Sequence, residues 1–320
     1  MSRVNPTYHG GTDGDDFVPS TIEELGNMVG KVAEQIIREN TTVNPLTPFE
    51  KGLVENGDTI EQAVVKLVES SAYDPTGAGA LTRDETEKLA VKYFHDWTRE
   101  KFKTTIDIPE MRKVLLGNKS ASDLSSKVVS SLSESDKHEK YLNVRDLMKW
   151  GRQSTDGGTG AVLVKADTVE YDTTNSTIDY KGVLVAMKDA ISGMKFVNGS
   201  FNSLNLKRRT REEDIYILIP YKLKNRIDVN DLAGVFNLSK TEIEGRMIEI
   251  DTDAENGYYY IYIVDKFAVL DFTRLYEMLD QKNADGFFWN YFLHTDRLYA
   301  LSPLFDACYI KIASQAPVNP

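Results

Sequence analysis

Tyr258-Tyr259-Tyr260-Ile261-Tyr262-Ile263-Val264 is an unbroken run of aromatic and β-branched residues. That composition belongs to a buried strand rather than to a helix. Asn256-Gly257 immediately before it supplies the residues that take positive φ in a tight turn. Arg246–Ile250 upstream reads as a second strand, so the two are expected to form a hairpin. Downstream the aromatic content persists: the 52 positions from 258 to 309 hold 15 of the 32 aromatic residues in the chain. Such a load indicates a well-buried core or an extended contact surface.

Upstream of this block the elements are mixed. Ile215–Ile219 reads as a strand ended by Pro220, followed by a short helical stretch around Asp228–Phe236. Val183–Met194 has helical spacing, with Val183, Met187, Ala190, Ile191 and Met194 on its inner face. Ala161–Lys165 is strand-like, and Thr155-Asp156-Gly157-Gly158-Thr159-Gly160 before it marks a domain boundary or hinge. Residues 110–152 read as helical: Leu124, Val128 and Leu132 share one stripe, and Val144, Leu147 and Met148 follow a polar break at Ser133–Lys140. Tyr93–Ile108 has strand propensity, whereas Asp58–Val68 suits a capped helix or a strand equally well. Between them Asp74, Pro75, Gly77 and Gly79 form a flexible excursion. Residues 1–20 read as a loose arm, and Ser20 with Glu23 caps an amphipathic helix carrying Ile22, Leu25, Val29, Val32 and Ile36. The fold class is α+β.

The 320 residues carry 38 Lys+Arg against 49 Asp+Glu, a formal charge of −11, with 41% apolar and 27% charged residues. These are globular proportions and exclude a disordered chain or a coiled coil. The longest apolar runs fall far short of the ~18–20 residues of a membrane span, so no membrane partner is expected. Met1-Ser2-Arg3-Val4-Asn5-Pro6 lacks an apolar leader, and the expectation is a soluble chain made inside a cell. Cys308, the single cysteine, excludes an internal disulfide and any multi-cysteine metal site.

No catalytic pattern survives inspection. His138-Glu139 opens a zinc-protease pattern, but Leu142 stands where the second histidine is required. Asp251, Asp253 and Glu255 imitate a calcium loop, yet Asn256 takes its glycine position and Tyr262 its bidentate-glutamate position, leaving an acidic hairpin tip. Gly158-Thr159-Gly160 leads into a strand, where a dinucleotide fingerprint leads out of one, and Gly77-Ala78-Gly79 has Thr82 in place of the third glycine. Cys308 lies among Phe305, Ala307, Tyr309 and Ile310, the surroundings of an inert thiol. The expectation is no enzyme, no cofactor and no metal.

The acidic balance also opposes nucleic-acid binding, except at one cluster: Lys207, Arg208, Arg209 and Arg211, followed by Glu212, Glu213 and Asp214. A phosphate site would not carry its own neutraliser. The two charge blocks read instead as a loop facing opposite blocks on a neighbouring subunit.

Three segments add a resemblance: Asn56-Gly57-Asp58-Thr59-Ile60-Glu61; Arg226-Ile227-Asp228-Val229 through Leu232-Ala233-Gly234-Val235-Phe236-Asn237; and Phe288-Trp289-Asn290-Tyr291-Phe292-Leu293-His294 with Ser302-Pro303-Leu304-Phe305-Asp306-Ala307 behind it. Together they resemble the major capsid (head) proteins of small short-tailed phages of the phi-29-like group, over roughly residues 45–310. The resemblance implies the Hong Kong 97-type capsid fold. Residues 1–57 would be the N-terminal arm, and 58–155 the extended loop and peripheral domain with its spine helix. Residues 156–257 would be the axial domain, and 258–320 strands returning to complete the peripheral domain. Asp74, Pro75, Gly77 and Gly79 would form the extended-loop tip, and the 208–214 block an inter-subunit contact.

What the resemblance further implies is a self-assembling subunit, tiling as pentamers and hexamers an icosahedral or prolate head around double-stranded DNA. It would work with a separate scaffolding protein and a portal, bind DNA without sequence specificity, and assemble in the host cytoplasm before residing in the virion. On the residues alone two other classes stay open: another phage or cellular assembly component (tail, connector, cargo shell), or an α+β enzyme of unrecognised type.

Overall fold

The computed structural model describes residues 41–54, 59–70, 88–107, 120–225 and 246–315, together with positions 57, 72–73, 75–77 and 227. The expected helix after Ser20, the arm before it and the helical stretch 228–236 lie outside the described residues.

The aromatic run is a strand at the centre of a five-stranded sheet. In chain order the strands of the fold are β1 (Glu50–Leu53), β2 (Ile60–Val65), β3 (Leu89–Phe94), β4 (Trp97–Asp107), β5 (Val164–Val169), β6 (Tyr171–Asp172), β7 (Thr177–Ile178), β8 (Ile215–Pro220), β9 (Met247–Ile250), β10 (Tyr258–Asp265), β11 (Val269–Asn283), β12 (Phe288–Leu301) and β13 (Ala307–Ala313). The five-stranded sheet runs β5-β13-β10-β8-β9. Its middle strands are buried on both faces, which is why they read as continuous apolar runs rather than alternating ones. Ile261 and Ile263 of β10 face a core with Val183, Met187, Ile191 and Met194 of helix α2 (Tyr180–Met194). Tyr260, Tyr262 and Val264 face a second core, shared with Tyr141, Val144 and Met148 of helix α1 (Ser120–Gly151) and with Leu46 and Phe49.

Two expectations are corrected here. Asn256 and Gly257 do form a tight turn, with φ of 51° and 83° and Glu255 and Tyr258 exchanging backbone hydrogen bonds. Yet β9 does not pair with β10: it pairs in parallel with β8, which lies between them. The boundary expected at 257/258 is also crossed, because β10 and β13 pair with β8 and β5 of the preceding segment. Of the described strands after Gly257, β11 and β12 join the other large sheet.

That sheet is four-stranded, in the order β1-β11-β12-β4. β11 and β12 form a long antiparallel hairpin, Val269↔Leu301 to Asn283↔Phe288, and β4 pairs along β12 from Trp97 to Asp107. α1 crosses it without a break at Ser133–Lys140. The polar stretch continues the helix because its inward residue, Asp136, meets a charged partner: Arg297 donates through Nη1 and Nη2 to both carboxylate oxygens at 2.5 and 2.8 Å, with both residues buried. The ambiguous segment 58–68 is a strand, β2, paired antiparallel with β3.

Candidate assembly surfaces

Residues 207–214 do not stand out as a free charge block. Arg208 turns inward, its side chain 15% exposed. It donates through Nη2 to Asp265 Oδ2 and through Nη1 to Leu304 O, each at 3.0 Å, lies 3.7 Å from Asp306, and stacks 4.2 Å from the Phe305 ring centroid. Thr210 ties the two aspartates together, donating to Asp306 at 2.7 Å. Burial raises the Asp265 carboxyl above its ordinary value, against the Phe267 N–H, the Arg208 charge and the Thr210 hydroxyl, which lower it. Arg208 therefore spends its charge mostly on partners within the subunit.

The rest of the block is held in pieces. Lys207 pairs with Glu69, joining this loop to the excursion after β2. Glu212 takes Lys195 at 2.8 Å, and its carbonyl accepts from Arg246 at 2.9 Å. Arg211 lies 3.6 Å from Glu213, both exposed, and Asp214 is half-buried at the start of β8. Arg209, Arg211, Glu212, Glu213 and Arg246 line one shallow depression, the part of the block that still faces outward. Of the expected loop tip, Pro75 and Gly77 sit in an exposed turn, Gly77 with φ +68°. Asp74 and Gly79 lie outside the described residues.

An exposed apolar surface lies on the two-stranded sheet that includes the segment whose sequence suits helix and strand equally. Val65, Leu67 and Val68 at the end of β2, with Leu89 and Tyr93 of β3, are 48–74% exposed. Two strands alone do not make a stable sheet in water, and apolar side chains at this exposure call for a covering partner.

The acidic tip 251–255 is a latch. Asp251 accepts from Tyr141 and Arg145 of α1, Asp253 pairs with Lys222, and Glu255 takes Arg152 at 2.6 Å and Lys149 at 2.9 Å. Its charges thus bind the end of α1 to the five-stranded sheet. Cys308 is fully buried in β13, and burial, then the nearby Asp306 charge, push its thiol up.

Solved structures share this arrangement of a long helix over one sheet beside a second, two-faced sheet. A chain in the capsid structure of Staphylococcus phage Andhra superposes with a TM-score of 0.71, at 13% identity, covering 89% of this chain and 88% of that one. A chain in the structure of head fiber and inner core protein gp22 of native bacteriophage P68 gives 0.64, at 13% identity, over 88% and 87%. The fold is thus the α+β capsid fold of the Hong Kong 97 type. Residues 4–311 match the Phi29-like phage major capsid protein family, and the chain belongs to it. Among relatives, the major capsid protein of Bacillus phage GA-1 is 27% identical over 296 residues, 92% of this chain and 60% of that protein. That of Streptococcus phage Cp-1 is 22% identical over 330 residues, 98% of this chain and 88% of that one. The chain spans about 60% of the length of the Bacillus phage relatives.

Proposed function

We propose that this chain is the tiling subunit of a phage head, assembling as pentamers and hexamers into an icosahedral or prolate shell around double-stranded DNA. The observation that carries the reading beyond family membership is the β2–β3 hairpin, whose exposed Val65, Leu89 and Tyr93 call for a neighbour to cover them. In this reading the four-stranded sheet with α1 is the peripheral domain and the five-stranded sheet with α2 the axial domain. The hairpin is the loop that overlaps an adjacent subunit. A heterologous contact of this kind, repeated around a rotation axis, closes rings. The net charge of −11 works against gripping phosphates, and the packaged DNA is held without sequence-specific contacts in this reading. A separate scaffolding protein and a portal complete the set of partners, with assembly in the host cytoplasm.

Negative-stain electron microscopy of the chain expressed alone and with its scaffold tests this. Round or prolate shells, tubes or spirals are expected. Small discrete particles under both conditions would overturn the reading and favour a connector.

A further inference from the structure

The contact between α1 and the four-stranded sheet carries a charged layer in a position that is ordinarily apolar. Every strand contributes: Glu50 from β1, Asp271 from β11, Thr295, Arg297 and Tyr299 from β12, and Glu100 from β4. Register sets Asp271 opposite Tyr299 and Glu100 opposite Thr295, and positions 295, 297 and 299 share one face of β12. From α1 come Asp136, Glu139, Lys140 and Asn143.

Among the described residues, the two cations of this layer are already taken. Arg297 is bidentate on Asp136, and Lys140 lies 3.4 Å from Glu50, which also accepts from Asn44 at 3.2 Å. Lys51, next along β1, is turned to the Lys266 carbonyl at 2.7 Å. Asp271, 2% exposed, is left with both carboxylate oxygens buried and without a hydrogen-bond partner among the described residues. Glu100 Oε2 and Thr295 Oγ1 are in the same condition. A buried carboxylate with neither cation nor donor is the arrangement that a protein interior avoids most strongly.

We infer that this layer is a proton-operated seat for α1: the helix sits firmly on the sheet when the Asp271 carboxyl holds a proton, and loosens when it ionises. Burial pushes Asp271 up to about 6; Glu50 and Asp136 add to the rise, while Lys140 and Arg297 oppose it. Glu100 is raised as well, by burial and then by Glu139. An acid whose folded pKa is raised favours the folded state at low pH and loses that advantage as pH climbs through the ordinary value to the raised one. With 3.8 and about 6 as the two limits, opening of the helix is about tenfold more frequent at pH 7.5 than at pH 5.

Hydrogen exchange of the full chain, read over residues 132–140 and corrected for intrinsic rate, tests the inference. The expected result is about tenfold greater protection at pH 5 than at pH 7.5 in the wild type. In Asp271→Asn most of the pH dependence should be lost, Glu100 supplying what remains, and α2 in the other core should not respond. Equal protection at both pH values in the wild type overturns the inference. So does a pH response that survives Asp271→Asn undiminished, or one that α2 shares. If Asp271→Asn does not fold, Asp271→Ser removes the same carboxyl with a smaller polar side chain, and a wild-type pH ratio in that variant counts against the seat.

Discussion

Replacing Arg208 by glutamate separates an interior role from a surface one. The guanidinium is the cation nearest to Asp265 and Asp306, which are 1% and 2% exposed. Removing one partner from a buried ion pair costs about 3–5 kcal/mol, because the remaining charge stays buried without compensation. Glutamate adds a third carboxylate beside the first two and gives up the stacking on Phe305, so the loss should reach the upper end of that range. Against a total stability of roughly 5–15 kcal/mol, this removes a third or more of what holds the subunit together. Urea unfolding of the isolated subunit, followed by tryptophan fluorescence, gives the number. The double variant Arg209→Glu with Arg211→Glu is the control: both side chains are exposed, and its stability should stay within about 0.5 kcal/mol of wild type. If the outward half of the block is a head-to-tail contact, that variant folds but forms no particles. An Arg208→Glu subunit as stable as the double variant would refute the interior assignment.

Three further outcomes are expected. Gly158→Ala places a Cβ 2.0 Å from the Arg152 carbonyl oxygen, backbone that cannot rotate away, so the loop after α1 must shift; a cost of about 1–3 kcal/mol should appear in thermal melts. Asp156 accepts from Tyr309 at 2.6 Å and Lys311 at 2.7 Å; burial raises its carboxyl, but these hydrogen bonds outweigh it and leave the value below the ordinary one. Its contribution is therefore present above the unfolded value and lost as pH falls through the lowered folded value, so Asp156→Asn should cost about 1.5–3 kcal/mol at pH 7 and the gap should close in acid denaturation series. The Cys308 thiol should react with a disulfide reagent at least about a hundredfold more slowly in the native subunit than in urea, since burial denies both access and the thiolate.

What the sequence makes legible follows from how local the physics is. The inner face of α2 could be read from its apolar period, since Val183, Met187, Ala190, Ile191 and Met194 all lie in the core, while its start at Tyr180 and the Asp179 cap come only from the structure. β10 and β8 were equally plain from their β-branched runs. The turn at Asn256-Gly257 forms as its residues dictate, yet turn chemistry fixes only four residues, while pairing is decided by which strand completes the sheet. The 251–255 loop that separates β9 from β10 is held by Arg145, Lys149 and Arg152, distant cations that no local pattern reveals. Arg208 escaped for the same reason: a charge run usually means a solvated face, and its aspartates come from the far end of β10 and the start of β13.

The course of α1 explains why its polar break is neither a defect nor a terminus. At about 1.5 Å per residue its 32 residues span roughly 48 Å, long enough to cross from one sheet to the other. Its last three turns place Tyr141, Val144 and Met148 in the apolar core of the five-stranded sheet, and the 251–255 latch fixes them there. Its middle rests on Asp136, Arg297 and the charged layer over the four-stranded sheet. Apolar packing responds little to pH, whereas a layer with excess carboxylate responds through its titration. One helix is thus clamped at one end and adjustable along its middle. In the proposed shell, where a single sequence must fit pentamers and hexamers alike, the adjustable contact is the peripheral one, and the axial core can stay the same in both.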